Sequence, residues 1–196
     1  MRRCHNPAMA TVSRILLCAA PVLLLLATEA RGAGGAHVVD DAAVEDPGRC
    51  NLETWASAMG KGSVLFTASA ACTPRRVPWL QAGGWMQRTW TRTGDDTLVG
   101  PAIKAAALPL GHGLNLALSA WGGWSLGLDR FEAAGASIPL TMELGSGVTV
   151  NLNAGWEWSR TDDRHKAIVG AQIDWSASDH LSLMAEGFSQ IGTGVG

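Results

Sequence analysis

The sequence predicts an all-β chain, an antiparallel up-and-down transmembrane β-barrel lacking its last strands. Three observations carry this expectation. The dominant hydrophobic period is two residues, the period of a strand with two unlike faces. Only 16% of the 196 residues are charged, against ~25% in ordinary soluble domains. The polar positions between the apolar ones hold Asn, Gln, Thr, Ser and Gly, not the Lys/Glu mixture of a surface meeting bulk water.

The first thirty residues follow a different logic. Arg2, Arg3 and Arg14 precede an apolar run from Ile15 to Ala27, and small residues follow near Ala30. This is the pattern of a secretory signal peptide over residues 1–30. The run is shorter than the ~20 residues a membrane-spanning helix needs. Leu17 stands before Cys18 where a lipidation site wants a small residue. Residues 31–49 are expected to form an N-terminal periplasmic segment, and 50–196 the barrel.

Loss of residues 1–30 removes three of the 15 basic residues and one of the 17 acidic ones, leaving 12 and 16. The processed chain is mildly acidic and has no basic block, so no nucleic-acid partner is expected. Two cysteines remain, Cys50 and Cys72, symmetric about Lys61. Gly60-Lys61-Gly62 is a turn signal between two strand-like runs, Asn51 to Met59 and Ser63 to Ala71. A bulge-free hairpin sets the cysteines opposite each other, and an exported chain keeps such a bond. A Cys50–Cys72 disulfide is expected.

The strands follow in order. Leu80, Ala82, Gly84, Met86 and Trp90 oppose Gln81, Gly83 and Gln87, and then Val99, Ile103, Ala105 and Ala107 oppose Lys104. Leu114, Leu116, Leu118 and Ala120 alternate with Asn115, Ala117, Ser119 and Trp121. Ala136, Ile138, Leu140 and Met142 oppose Ser137, Thr141 and Glu143. The clearest run puts Val148, Val150, Leu152, Ala154, Trp156 and Trp158 on one face, with Thr149, Asn151, Asn153, Gly155 and Glu157 on the other. Ala167, Val169, Ala171, Ile173 and Trp175 oppose Gly170, Gln172 and Asp174, and finally Leu181, Leu183 and Ala185 oppose Ser182 and Glu186. With the hairpin this makes about nine strands joined at short spacing. No stretch has a helical period.

Alternation fits a soluble sandwich as well as a barrel. Strands of about eleven residues, roughly 36 Å, tilted ~45° cover the ~25 Å apolar band of an outer membrane. Short turns at Leu110–Gly113, Leu144–Gly147 and Ser176–His180 alternate with charged loops at Arg92–Asp96, Leu128–Glu132 and Arg160–Lys166, as periplasmic turns alternate with external loops. Trp90, Trp124, Trp156, Trp158 and Trp175 lie near strand ends, where an interfacial belt would sit. An even strand count with a closing partner for the first strand is expected of such barrels. A parent of about twelve strands is the natural completion.

The stretch from Val39 to Trp55, which opens Val39-Asp40-Asp41-Ala42 and continues through Gly48 to a strand containing Glu53, resembles the mature start of proteobacterial outer-membrane barrels of the "MetA-pathway of phenol degradation" type. The segment His180 to Phe188, with Glu186 ahead of an aromatic, is similar to a later strand of that family. The resemblance implies an outer-membrane location and a role in transport. It also implies further strands and an aromatic terminus.

Candidate chemistry is sparse. His5, His37, His112, His165 and His180 lack zinc spacing, and no nucleophile motif, Walker motif or dinucleotide glycine pattern occurs. Asp162 and Asp163 with His165 read as a solvated loop. No enzyme activity, metal or cofactor is expected. Turning each polar face inward makes Glu53, Glu143, Glu157, Asp174 and Glu186 lumen-facing, with Lys104 as the one base. An open pore with that lining favours cations. A lumen filled by its own side chains and the N-terminal stretch is the competing expectation. The sequence thus points to an outer-membrane barrel serving as a passive channel or uptake protein for a small solute, with outer-membrane lipid and the barrel-assembly machinery as partners. A periplasmic or secreted ligand-binding β-sandwich and a lipid-modifying barrel enzyme are the alternatives.

Overall fold

The computed structural model describes residues 38–59, 62–92, 94–107 and 112–194. The expected export segment, the Gly60-Lys61 part of the first turn and Leu110-Gly111 lie outside the described residues. Those described belong to one compact unit, Ala33–Gly196.

Among the described residues there are nine strands: β1 Cys50–Met59, β2 Ser63–Cys72, β3 Leu80–Trp90, β4 Asp95–Ala106, β5 Leu114–Ser125, β6 Arg130–Gly145, β7 Val148–Ser159, β8 Arg164–Ser178 and β9 Leu181–Gly194. Each pairs antiparallel with the next in chain order, giving one sheet ordered β1 to β9. The sheet curves into an open half-barrel, so the all-β up-and-down expectation holds. The described residues contain no second sheet facing the first, which a sandwich would require.

Several strands run longer than the alternation suggested, up to 16 residues in β6 and 15 in β8. They extend because the charged stretches read as loops join the ladder at their ends. Asp95 and Asp96 open β4, Arg130 and Glu132 open β6, and Arg164 opens β8. The ladder accommodates these charges because their polar atoms are paired. Asp96 accepts from Ser125 Oγ and from the Thr97 and Gly127 amides. Glu132 accepts from Arg130 Nε at 2.9 Å and from the Thr161 amide. The connection between β6 and β7 is tight. Ser146 and Gly147 join β6 to β7 with φ of 52° and 73°, the left-handed pair that a two-residue hairpin turn demands.

The ladder fixes which side chains share a face, because antiparallel partners point the same way. The convex face carries Leu52, Ile103, Leu118, Ile138, Leu152, Val169 and Ile173, each open to the surroundings, with Leu52 72% exposed. Trp90, Trp124, Trp156 and Trp175 lie on that face too and are also exposed. The concave face carries mainly polar and small residues, with the Trp85 and Trp121 rings among them. Thr141, Asn151 and Gln172 are buried there, near the fully buried Pro139 and Ala117. Apolar outside and polar inside is the reverse of a water-soluble fold. The expected Cys50–Cys72 disulfide forms, and the two residues are register partners at one end of β1 and β2.

Candidate functional site

The stretch Val38–Arg49, expected as part of a separate N-terminal segment, lies across the concave face as a strap. It has no strand period of its own and ends in Pro47-Gly48, so it forms no ladder with its neighbours. Side chains of the sheet supply most of its bonds to the strands instead.

The contacts run from one edge of the sheet to the other. The Val38 amide donates to Glu186 Oε1 on β9 at 3.1 Å. Val39, only 1% exposed, drops into a slot on β8, where a Cβ on Gly170 would meet its Cγ2 at 2.5 Å. The Asn153 amide of β7, oriented with its oxygen towards the strap, accepts from the Asp40 N–H at 2.7 Å and donates to the Asp40 carbonyl at 2.8 Å. The Ala42 amide donates to Thr141 Oγ1 of β6 at 2.8 Å. The Glu45 amide donates to Gln81 Oε1 of β3 at 3.2 Å. Finally, the Gly48 amide donates to the Thr73 carbonyl beyond β2, and the Thr73 amide donates to the Arg49 carbonyl.

Two further features lock the strap. Thr141 Oγ1 donates to Asn151 Oδ1 at 2.7 Å, and Asn151 Nδ2 donates to Gln172 Oε1 at 2.8 Å. These side chains sit on consecutive strands in register, so one polar chain crosses β6, β7 and β8. Buried polar groups satisfied in sequence in this way are stiff, because each bond orients the next. Lys104 Nζ, from β4, donates to Asp40 Oδ1 at 2.9 Å and to Asp41 Oδ1 at 3.3 Å. Burial pushes the Asp40 carboxyl above its ordinary value; Lys104 pulls it down, and the charge of Asp41 pushes it up again.

The six lumen-facing candidates separate into three groups. Lys104, Glu53 and Glu186 meet the strap: Lys104 pairs with its acids, Glu186 accepts from Val38, and Glu53 lies within electrostatic reach of Asp40, Asp41, Glu45 and Lys104. Glu157 lies opposite Lys166 on β8. Glu143 and Asp174 sit towards the end of the sheet that carries the Ser146-Gly147 turn, with Glu143 exposed. Lys104 is therefore not the one inward base. Lys166 shares its face, a position that the run of charges before it disguised as loop.

Sequence reasoning also missed an aromatic pair on the concave face. Trp85 and Trp121 meet edge to face with centroids 5.5 Å apart. The Trp121 ring lies over Gly135, where a Cβ would come within 2.5 Å of it. Period-two alternation put the Trp121 ring on the polar face, and Trp85 falls in step with Gln81 and Gln87; the bare glycine opposite Trp121 was the available signal.

No group of three or more His, Cys, Asp or Glu suited to a metal ion occurs among the described residues. No curated protein and no solved structure matches the chain. A family model matches residues 21–195, nearly the whole sequence, and the chain belongs to that family, described as "Uncharacterised conserved protein UCP029691".

Proposed function

We propose that this chain forms the wall of an outer-membrane β-barrel, a passive channel or uptake path for small solutes whose lumen the strap occupies. The observation that carries this is the inversion of the sheet. Leu52, Ile103, Leu118, Ile138, Leu152 and Val169 face outward and exposed, opposite a concave face of Thr, Asn, Gln and acids. Exposed apolar patches beyond a few hundred Å² are rare on soluble monomers; acyl chains cover such a face at no cost in unpaired backbone, provided the sheet closes. The likeness of Val39–Trp55 and His180–Phe188 to outer-membrane barrels of the phenol-degradation type supports the same reading. Export through residues 1–30 and insertion by the barrel-assembly machinery belong to it.

The acids of the lumen outnumber its bases, so the proposed path favours cations. Cell fractionation tests the location. The protein is expected in the outer-membrane fraction, resisting urea and alkaline washes and leaving only with detergent. Recovery from the periplasm as a dispersed monomer contradicts the proposal and favours a soluble ligand-binding protein. Planar-bilayer recordings test the path: cation-selective conductance is expected, and anion preference contradicts it.

A further inference from the structure

We infer that the concave face is a peptide-binding groove and that the strap is a ligand carried in cis, so the class of molecule it takes is an extended, acidic peptide. The contacts divide the way peptide recognition divides. Backbone groups of Val38, Asp40 and Ala42, every second residue of an extended segment, are read by Glu186, Asn153 and Thr141. Contacts of that kind depend on an extended backbone and not on side-chain identity. Specificity enters at two positions. Gly170 leaves a slot that Val39 fills, and Lys104 grips two consecutive carboxylates.

The attachment is also of an exchangeable kind. Of the described strap residues only Val39 and Ala42 are buried apolar ones. The rest of the hold is polar, and a competing peptide reproduces it bond for bond. A segment that merely lined the sheet would be held by apolar packing, which no soluble peptide replaces at equal strength.

The inference goes beyond the membrane reading and does not depend on it. The test uses the full chain with a protease site inserted between Asp46 and Pro47, refolded in detergent, cut, and washed with salt. The probe is a fluorescent octapeptide with the sequence of residues 38–45. Saturable binding to the cut, washed protein is expected, with binding to the uncut protein at least about tenfold weaker, a difference of ~1.4 kcal/mol. Lys104→Ala in the cut protein, or Asn in place of Asp41 in the peptide, is expected to weaken binding about tenfold, as loss of a charge-assisted bond does.

The inference is overturned if the freed groove ignores the peptide, or if the Asn-substituted peptide binds equally well. A strap that stays bound under millimolar competitor while the sheet remains folded also overturns it. Should the insertion prevent folding, the uncut Asp41→Asn chain serves instead: with its strap's hold on Lys104 weakened and the groove unaltered, it is expected to admit the labelled peptide that the unaltered chain excludes, and equal exclusion by both overturns the inference. Lost peptide binding with retained membrane insertion defeats this inference alone. Lost insertion with retained binding defeats the membrane reading alone.

Discussion

Lys104 Nζ lies 2.9 Å from Asp40 Oδ1, across 64 residues of chain, and the same ammonium reaches Asp41 at 3.3 Å. This contact joins the centre of the sheet to a segment that precedes its first strand. The one base recognised in the polar faces of the sequence thereby acquires a definite role, which is to neutralise the strap.

Removing that base leaves two carboxylates against the sheet without compensation. Lys104→Ala is expected to weaken strap docking about tenfold, ~1.4 kcal/mol. Hydrogen exchange at Ala42 should then rise sharply while the β6–β7 ladder keeps its protection. Adding Asp40→Asn and Asp41→Asn to Lys104→Met should recover part of the loss, because the charges go together. No recovery would mean that the pair is incidental to docking.

Gly170 and Val39 form a steric pair. Gly170→Val places a side chain where the Val39 methyl lies, since even a Cβ would sit 2.5 Å from it. The strap should lift and become open to protease, although valine suits a strand better than glycine does. Val39→Gly in the same chain should restore part of the protection. Equal cleavage of the single and double variants would show that the slot does not position the strap.

Thr141 is a relay, accepting from Ala42 and donating to Asn151. Thr141→Val keeps the shape and strips both bonds. A cost of about 2 kcal/mol in unfolding free energy is expected, because two buried polar groups lose partners at once. Denaturant titration in detergent measures it. A change within experimental scatter would show that the polar chain across β6, β7 and β8 adds nothing to stability.

Acidity should strengthen docking. Asp40 faces Asp41, Lys104 and Glu53, and its carboxyl binds a proton more tightly when docked than its ordinary value of 3.8 allows. The docked state therefore takes up protons, so docking gains as pH falls towards that ordinary value and loses the gain as pH rises through the raised one. Strap protection followed against pH should show this slope, and Asp40→Asn should flatten it. An opposite slope would mean that attraction to Lys104 outweighs burial at Asp40.

Much of the sheet was legible in the residues alone. The alternation Val148 to Trp158 becomes β7 with every side assigned correctly, because a one-residue slip would turn all its apolar residues inward. The disulfide was equally legible, since a hairpin centred on Lys61 leaves its cysteines no other register. The strap was not. Residues 38–49 have no period, and their partners are scattered from Gln81 to Glu186, so only the folded sheet brings them together. One clue was present: an Asp40-Asp41 pair in a chain whose polar strand faces offered few bases. The ends of β4, β6 and β8 were hidden for another reason. Charged residues such as Asp96 and Glu132 read as solvent loop until their hydrogen-bond partners are known.

The most direct test puts a fluorophore on Leu152→Cys or on Glu157→Cys, both on β7 but on opposite faces, in a chain whose Cys4 and Cys18 are serine. Each protein is reconstituted in bilayers and exposed separately to a lipid-borne and a water-borne quencher. The label at 152 should be quenched from the lipid only, and the label at 157 from the water only. Quenching of both positions by the aqueous agent alone would contradict the claim that acyl chains cover the outer side of this sheet.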